Sequence, residues 1–496
     1  MTRSRCRFAV GLFLGGLCMS GAHAGAATLF VDANLVGGAD NGTTWGNAYN
    51  GVLGLQKALT AAASGDQIWV ADGTYKPDLA NRSVFFVLKS GVEIYGGFAG
   101  TETLLTQRDP SANVATLTGD LLDNDGGGAF ADNSFHVVSG GTANNTALID
   151  GFVIRSGNAN GSSANDTDRG GGLIFLNGAA GRVRNCIIQN NRVSFGGGGI
   201  YVRSAGPSFE DCIIRNNFGA NFGGGIDFFV PAAPAQTVRF DRCQFITNQA
   251  ARAGGVEAFG LGTVLLSNCL FYDNVSTGSG GGGAVFVGSS ANAQIRNCSI
   301  VGNRASVNFA GVHNSGGTAT VANSIVYFNT GPAASQALAQ QINVATATYS
   351  CVQNILGGTG NISANPALAN TASGDLRPTA ASPGIDAANN ALAGAPIPTI
   401  DLDGNPRFVD DPNTADTGAG TAPIIDMGAY EFTPPPPPSC PGDANGDLMI
   451  DAADLSVLLS NFGQPAAGPG FGDFNGDGLC NGADLSVLLG TFGTSC

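Results

Sequence analysis

A short unit is written six times between residues 185 and 329, and few folds can accommodate it. Asn185-Cys186-Ile187-Ile188, Asp211-Cys212-Ile213-Ile214, Arg242-Cys243-Gln244-Phe245, Asn268-Cys269-Leu270-Phe271 and Asn297-Cys298-Ser299-Ile300 align, and Asn323-Ser324-Ile325-Val326 repeats them with serine for the thiol. The steps are 26, 31, 26, 29 and 26 residues. Five positions after each Cys or Ser stands an asparagine: Asn191, Asn217, Asn248, Asn274, Asn303 and Asn329. Glycine clusters follow, at 196–199, 223–225, 254–255 and 280–283, and each opens another short apolar run. A period in this range marks a repeat architecture. The runs are rich in Ile, Val and Phe and too short for helical repeats, so each coil offers two or three strands. Stacked coils give an all-β chain, a right-handed parallel β-helix solenoid in which each strand pairs with its counterpart about 4.8 Å above. The asparagines are predicted to form one column, each in a left-handed turn, with its amide bonded to the coils on either side.

The N-terminus predicts export. Arg3, Arg5 and Arg7 precede an apolar run from Phe8 to Leu17 and an Ala22-His23-Ala24 cleavage site, the pattern of a signal peptide over 1–24. The run is too short to span a membrane, and no later one is long enough. Formal net charge is −15; the leader holds three arginines and no acid, so the remaining chain carries −18. That excludes nucleic acid and anionic membranes as partners and suits calcium. Cys186, Cys212, Cys243, Cys269 and Cys298 recur on successive coils with parallel Cβ directions, which is wrong for disulfides, so a buried, unreactive thiol ladder is expected. Cys440 and Cys496 flank the last domain and are expected to bridge.

In chain order, Thr28-Leu29-Phe30-Val31 alternates like a first strand. Residues 52–63 then carry a helical pattern, with Leu55, Leu59 and Ala62 on one face. A short amphipathic helix is the expected cap for the open edge of a β-helix. Residues 65–100, GDQIWVADGTYKPD through YGGFAG, with Thr101-Glu102-Thr103, Gln107-Arg108-Asp109-Pro110 and Leu148-Ile149-Asp150-Gly151-Phe152, resemble a group of secreted bacterial right-handed β-helix proteins, pectate-lyase-like in fold. Cys-x-Phe-x-x-Asn at 243–248 and 269–274 is similar to the repeats of chlamydial polymorphic membrane proteins, which are surface adhesins. The resemblance covers most of residues 28–432 and implies fold and export. Ser382-Pro383-Gly384-Ile385-Asp386, Asp401-Leu402-Asp403-Gly404-Asn405 and Asp426-Met427-Gly428-Ala429-Tyr430-Glu431 resemble the closing segment of that group. Asp401, Asp403 and Asn405 fit either a calcium ion or a turn. The β-helix is thus expected over 25–432, a proline-rich linker over 433–439 and a separate domain over 440–496.

That last domain is one unit written twice, 30 residues apart. Asp443, Asn445, Asp447, Asp451 and Asp454 place oxygens at loop positions 1, 3, 5, 9 and 12, and Met449 offers a carbonyl at position 7. Asp473, Asn475, Asp477, Asn481 and Asp484, with Leu479, repeat the set. This is EF-hand spacing for two Ca2+ ions. Each loop is followed by a leucine stripe, Leu455, Leu458, Leu459 and Phe462, then Leu485, Leu488, Leu489 and Phe492. No helix precedes either loop, since Pro441-Gly442 and Gly468-Pro469-Gly470 break it. The arrangement resembles a type I dockerin, which implies a cohesin-like partner on a scaffold or cell surface. Leu448 replaces the usual glycine at position 6, a cost of roughly 1 kcal/mol at site one. Positions 10 and 11, Ala452-Ala453 and Gly482-Ala483, lack the hydroxyls of the family's cohesin-reading pair.

The second residue after each glycine cluster should point outward. That column reads Tyr201, Asp227, Glu257, Val285 and His313. Asp227 and Glu257, on neighbouring coils, would lie about 5 Å apart, the spacing of a retaining glycosidase pair. They are the candidate catalytic residues, against the alternative of solvated surface. Polygalacturonase motifs and a lyase Arg–carboxylate set are absent. Two functions fit: binding or processing of an extracellular polysaccharide, or a non-catalytic surface or adhesion protein with a calcium-stabilised terminal domain.

Overall fold

The computed structural model describes residues 26–307, 309–331, 341–392, 397–434, 440–465 and 468–495. The expected signal peptide, most of the proline linker and Cys496 lie outside these. The chain forms two compact units, 1–432 and 433–496.

The first unit is a parallel β-helix. Its strands stack into sheets of twelve, ten, nine and six strands. The coil repeat read from the cysteines sets the register: Ile188 pairs with Ile214, Ile214 with Phe245, Phe245 with Phe271, Phe271 with Ile300, and Ile300 with Val326. These side chains point inward and are fully buried. Phe245 and Phe271 stack at 4.6 Å, and Phe209 on Phe240 at 4.7 Å. Each such burial contributes about 1.5–3 kcal/mol, and stacking lets like side chains fill one column without voids.

The asparagine column forms. Asn217 donates from its backbone N–H (3.1 Å) and its Nδ2 (3.0 Å) to Oδ1 of Asn248, which donates in the same two ways to Asn274. The expected left-handed conformation, however, falls one residue earlier. Asn190, Asn216, Thr247, Asp273 and Phe328 have φ between 53° and 58°, whereas the ladder asparagines do not have positive φ. The left-handed residue makes the corner and leaves its own side chain outside, which turns the following asparagine into the core. A second corner precedes each cysteine and Ser324, at Asn185, Asp211, Arg242, Asn268, Asn297 and Asn323. The five cysteines are buried and free, and burial pushes the Cys186, Cys243 and Cys298 thiols up. The ladder also runs one coil beyond Asn329: Gln341 Oε1 accepts from Asn329, and Ser350 follows Ser324 in the cysteine column.

Helix α1 (Gly54–Ala61) lies at the N-terminal end, shorter than the pattern over 52–63 because Ala62 already turns to extended backbone. Leu55, Ala58 and Leu59 are buried with Val31, so the helix covers the first coil. At the other end, the closing segment packs on the outer face of the ten-stranded sheet. Leu376, Ile425, Met427 and Tyr430 join Leu270, Val301, Ile325 and Tyr327 in a second core. Asp401 serves as a turn in that segment: its carboxylate accepts from the backbone N–H of Asp403, Asn405 and Glu431, while Asp403 pairs with Arg377.

The second unit is a loop and helix repeated: α2 (Ala452–Asn461) and α3 (Gly482–Thr491). Asp451 and Asn481 are their N-caps, each accepting from the N–H two residues on at 2.7 Å. Ile450, Leu458, Cys480 and Leu488 form its small core. The leucine stripes divide: Leu458 and Leu488 are buried, but Leu459, Phe462, Leu489 and Phe492 are exposed. Ten-residue helices around four core side chains have room to bury only one edge of each stripe. Cys440 is disulfide-bonded; its expected partner, Cys496, lies outside the described residues.

Candidate functional site

The strands Ile200–Arg203, Ile226–Val230, Val256–Gly260, Val285–Val287 and Val312–Asn314 lie side by side in the nine-stranded sheet. Ile200, Ile226, Val256, Val285 and Val312 enter the core, so the next residue faces outward. The outward column is Tyr201, Asp227, Glu257, Phe286 and His313. Val285, expected there, is an inward residue. Ala284 occupies the place of the last cluster glycine, as shown by Val256 N–H donating to Ala284 O, and counting from the glycines alone misses one position.

Asp227 and Glu257 are direct partners across the two strands, as expected, but they are not at the surface. They are 5% and 1% exposed. The turn before each strand folds over the column, with Gly196, Phe222 and Arg252 bridged one above the other. Gly196 allows the close approach: a Cβ there would sit 2.3 Å from Asp227 Oδ2. Tyr201 is fully buried and offers no open ring face to a ligand; its hydroxyl accepts from Arg169 Nη1 at 2.9 Å.

Two arginines hold this roof. Arg169 lies 4.2 Å over Phe195 and donates from Nε to Asp168 at 3.1 Å. Arg252 lies between Phe222 (4.4 Å) and Phe286 (4.5 Å) and donates from Nε and Nη2 to Glu257 Oε1. Stacking on rings while paired to carboxylates keeps both guanidinium groups ordered. The other oxygen, Glu257 Oε2, is buried without a hydrogen-bond partner. Burial raises both carboxyl groups, Asp227 to about 7 and Glu257 to about 8. The Asp227 charge adds to the rise at Glu257, while Arg252 opposes it at both groups and Arg169 at Asp227. Burial thus favours the protonated form of both groups near neutrality.

Above the pair is a cavity of about 340 Å³ lined by Arg169, Arg252, Phe195, Phe222, Phe229 and Phe259 besides Tyr201, Asp227 and Glu257. The arginines and phenylalanines were missed from sequence. For four of them the signal is positional: Arg169, Phe195, Phe222 and Arg252 stand just before a glycine cluster, as in Phe195-Gly196, Phe222-Gly223 and Arg252-Ala253-Gly254, while Phe229 and Phe259 each follow one by four residues. A larger cavity of about 500 Å³ lies between the twelve-stranded sheet and Leu392 with residues 397–400. Its most buried cation, Arg242, is already paired to Glu210, Asp211 and Asp241.

In the second unit the loops bring together Asp443, Asp447 and Asp454, and again Asp473, Asp477 and Asp484, each trio with oxygens within 4.8 Å of one another. Backbone N–H groups hold them. Asp443 accepts from Gly446 and Leu448, Asp473 from Gly476 and Gly478, and Asp454 and Asp484 each from three N–H groups. Asn445 and Asn475 donate to Asp447 and Asp477. Asp451 and Asn481 are turned to the helix starts. Met449 and Leu479, expected through their carbonyls, bind Asp447 and Asp477 through their N–H groups. Leu448 has φ 65° where its counterpart Gly478 has 85°.

A family model described as a right-handed β-helix region matches residues 120–337, giving the solenoid its hand. The crystal structure of pectate lyase Pel9A matches at 15% identity and a TM-score of 0.45, over 83% of this chain and 97% of that one. No curated protein matches.

Proposed function

We propose that this is an exported β-helix protein that binds an uncharged sugar unit of an extracellular polysaccharide in the cavity over Asp227 and Glu257. It is held in place through a dockerin-type C-terminal unit carrying two Ca2+ ions. The observation that carries the binding reading is the cavity itself. Its half-buried phenylalanine rings offer apolar faces to a sugar, and its paired charges offer fixed donors and acceptors. Arg169 is committed to Asp168 and Tyr201, and Arg252 to Glu257. Both guanidinium groups are thus engaged within the site, and neither is left over for a uronate. That favours a neutral ring.

The calcium reading rests on the two loops. Each holds three convergent carboxylates with oxygen donors only, and residues 440–496 contain seven aspartates and no Lys or Arg. A hard cation at each trio would neutralise charges that otherwise repel around a four-residue core. The exposed pairs Leu459/Phe462 and Leu489/Phe492, repeated at the C-terminal ends of α2 and α3, supply an apolar face for a cohesin-like partner.

A second reading is supported by the carboxylate pair: a glycoside hydrolase in which the protonated member is the acid and its neighbour the nucleophile. Binding and cleavage separate in one experiment. The purified chain is passed over immobilised neutral and acidic polysaccharides, and released sugar is assayed. Retention on a neutral polysaccharide that is lost in Phe222→Ala supports the site; equal retention of wild type and variant on every polysaccharide refutes it. Release of sugar abolished by Glu257→Gln, with retention kept, selects the hydrolase.

A further inference from the structure

The closing segment of the β-helix unit holds a third acidic trio, apart from both sites above. Asp386, Asp410 and Asp416 bring carboxylate oxygens within 4.8 Å of one another. Asp410 and Asp416 are exposed, but Asp386 is fully buried. Its Oδ2 accepts from the backbone N–H of Asp411 at 3.3 Å, and its Oδ1 has no hydrogen-bond partner. The neighbouring acids are spent differently. Asp411 accepts from Asn413 and Thr414, and Asp426 from the N–H groups of Asp386 and Phe432. Among the described residues, no Lys or Arg pairs with any of the three. The charged groups acting most strongly on Asp386 are Asp410, Asp416 and Asp411, all negative.

Three carboxylates crowded together, one of them buried with an oxygen unsatisfied, are unfavourable unless a cation joins them. We infer that Asp386, Asp410 and Asp416 bind a hard divalent cation of calcium's kind, which fastens the 410–416 turn to Asp386. An all-oxygen, strongly anionic donor set on a loop that can adjust its reach is what calcium takes. Asp386 accepts from Thr417 and Gly418 through its backbone carbonyl, so the turn is already anchored at its far end. The cation would close the near end.

The site does not depend on the C-terminal reading, and the test separates them. Calcium content and thermal unfolding are measured on the full chain after equilibration with calcium alone. Asp443→Ala combined with Asp473→Ala disables both C-terminal loops. This variant should still hold one calcium and should still melt higher with calcium than with chelator. Adding Asp410→Asn and Asp416→Asn should remove that calcium and abolish the shift. Both aspartates are exposed, so far-UV circular dichroism should show the β-helix intact. The proposal is overturned if the C-terminal double variant binds no calcium, or if Asp410→Asn with Asp416→Asn leaves its calcium content unchanged.

Discussion

Asn248→Ala is the sharpest perturbation of the fold, because each bond it removes is known. Oδ1 of Asn248 accepts the backbone N–H of Asn217 at 3.1 Å and its Nδ2 at 3.0 Å; its own Nδ2 donates to Ile214 O at 2.8 Å and to Asn274 Oδ1 at 3.0 Å. Asn217 keeps its side-chain bond to Ile188 O, and Asn274 Oδ1 keeps the N–H of residue 248. The backbone N–H of Asn217, a buried residue, loses the Oδ1 it donates to. One orphaned buried donor costs about 1–3 kcal/mol, and the lost bonds to Asn274 and Ile214 about 1 kcal/mol more between them. The expected destabilisation is therefore about 2–4 kcal/mol. At an unfolding entropy of about 2.1 cal/mol/K per residue over some four hundred residues, this lowers Tm by about 2–5 °C. Scanning calorimetry with chelator present measures it. Hydrogen exchange should show the loss centred on the coils of Asn217 and Asn248. A variant melting within a degree of wild type, with unchanged exchange at Asn217, would refute the argument that the ladder satisfies the corner.

Chelation should unfold α2 and α3, seen as lost helical signal, while the β-helix stays folded; calcium titration of Asp473→Ala should lose the second loop's ion and keep the first. Leu448→Gly should stabilise the calcium-bound C-terminal unit by about 0.5–1 kcal/mol, because an exposed L-residue leaves a left-handed position at the cost of a more flexible unfolded chain; unchanged affinity in calorimetry would argue against the strain. Asp227 and Glu257 are raised in the folded state, so they bind protons more tightly there than when unfolded. Their contribution to stability is lost as pH rises from about 4 towards 8. The β-helix should melt higher at pH 5 than at pH 8, and Asp227→Asn should flatten that slope; an unchanged slope would mean the pair is not the source.

The coil was legible because its period is enforced by contact. Every inward side chain sits on its counterpart one coil below, so an Ile or Phe at one step demands an apolar residue at the next. The left-handed corners were harder to place. Asparagine is the commonest non-glycine residue there, but Asn217 is needed for its amide and Asn216 for its φ, and residue type cannot tell the two roles apart. At Thr247 and Phe328 the corner is held by residues with little intrinsic preference for it, carried by the bonds of the asparagine that follows. The division of the leucine stripes has a similar origin: periodicity puts Leu455, Leu458, Leu459 and Phe462 on one face but does not say how wide a neighbour that face will meet.

The candidate site shows where strand alternation stops being informative. Alternation gives the side of the sheet on which Asp227 and Glu257 lie, and that side is outward. Whether an outward residue meets water is decided by the turn before its strand, 5 residues upstream for Arg252 and Glu257. Over Asp227 the turn closes without colliding with the column because Gly196 has no Cβ. Once it closes, the carboxyl groups lose water. The arginines that supply counter-charge need ring faces to rest on, and Phe195, Phe222 and Phe286 provide them. Glycine cluster, aromatic, arginine and raised carboxyl pair are therefore parts of one arrangement. A coil carrying only the acidic residue would leave it solvated, with its ordinary pKa, and of no use as an acid.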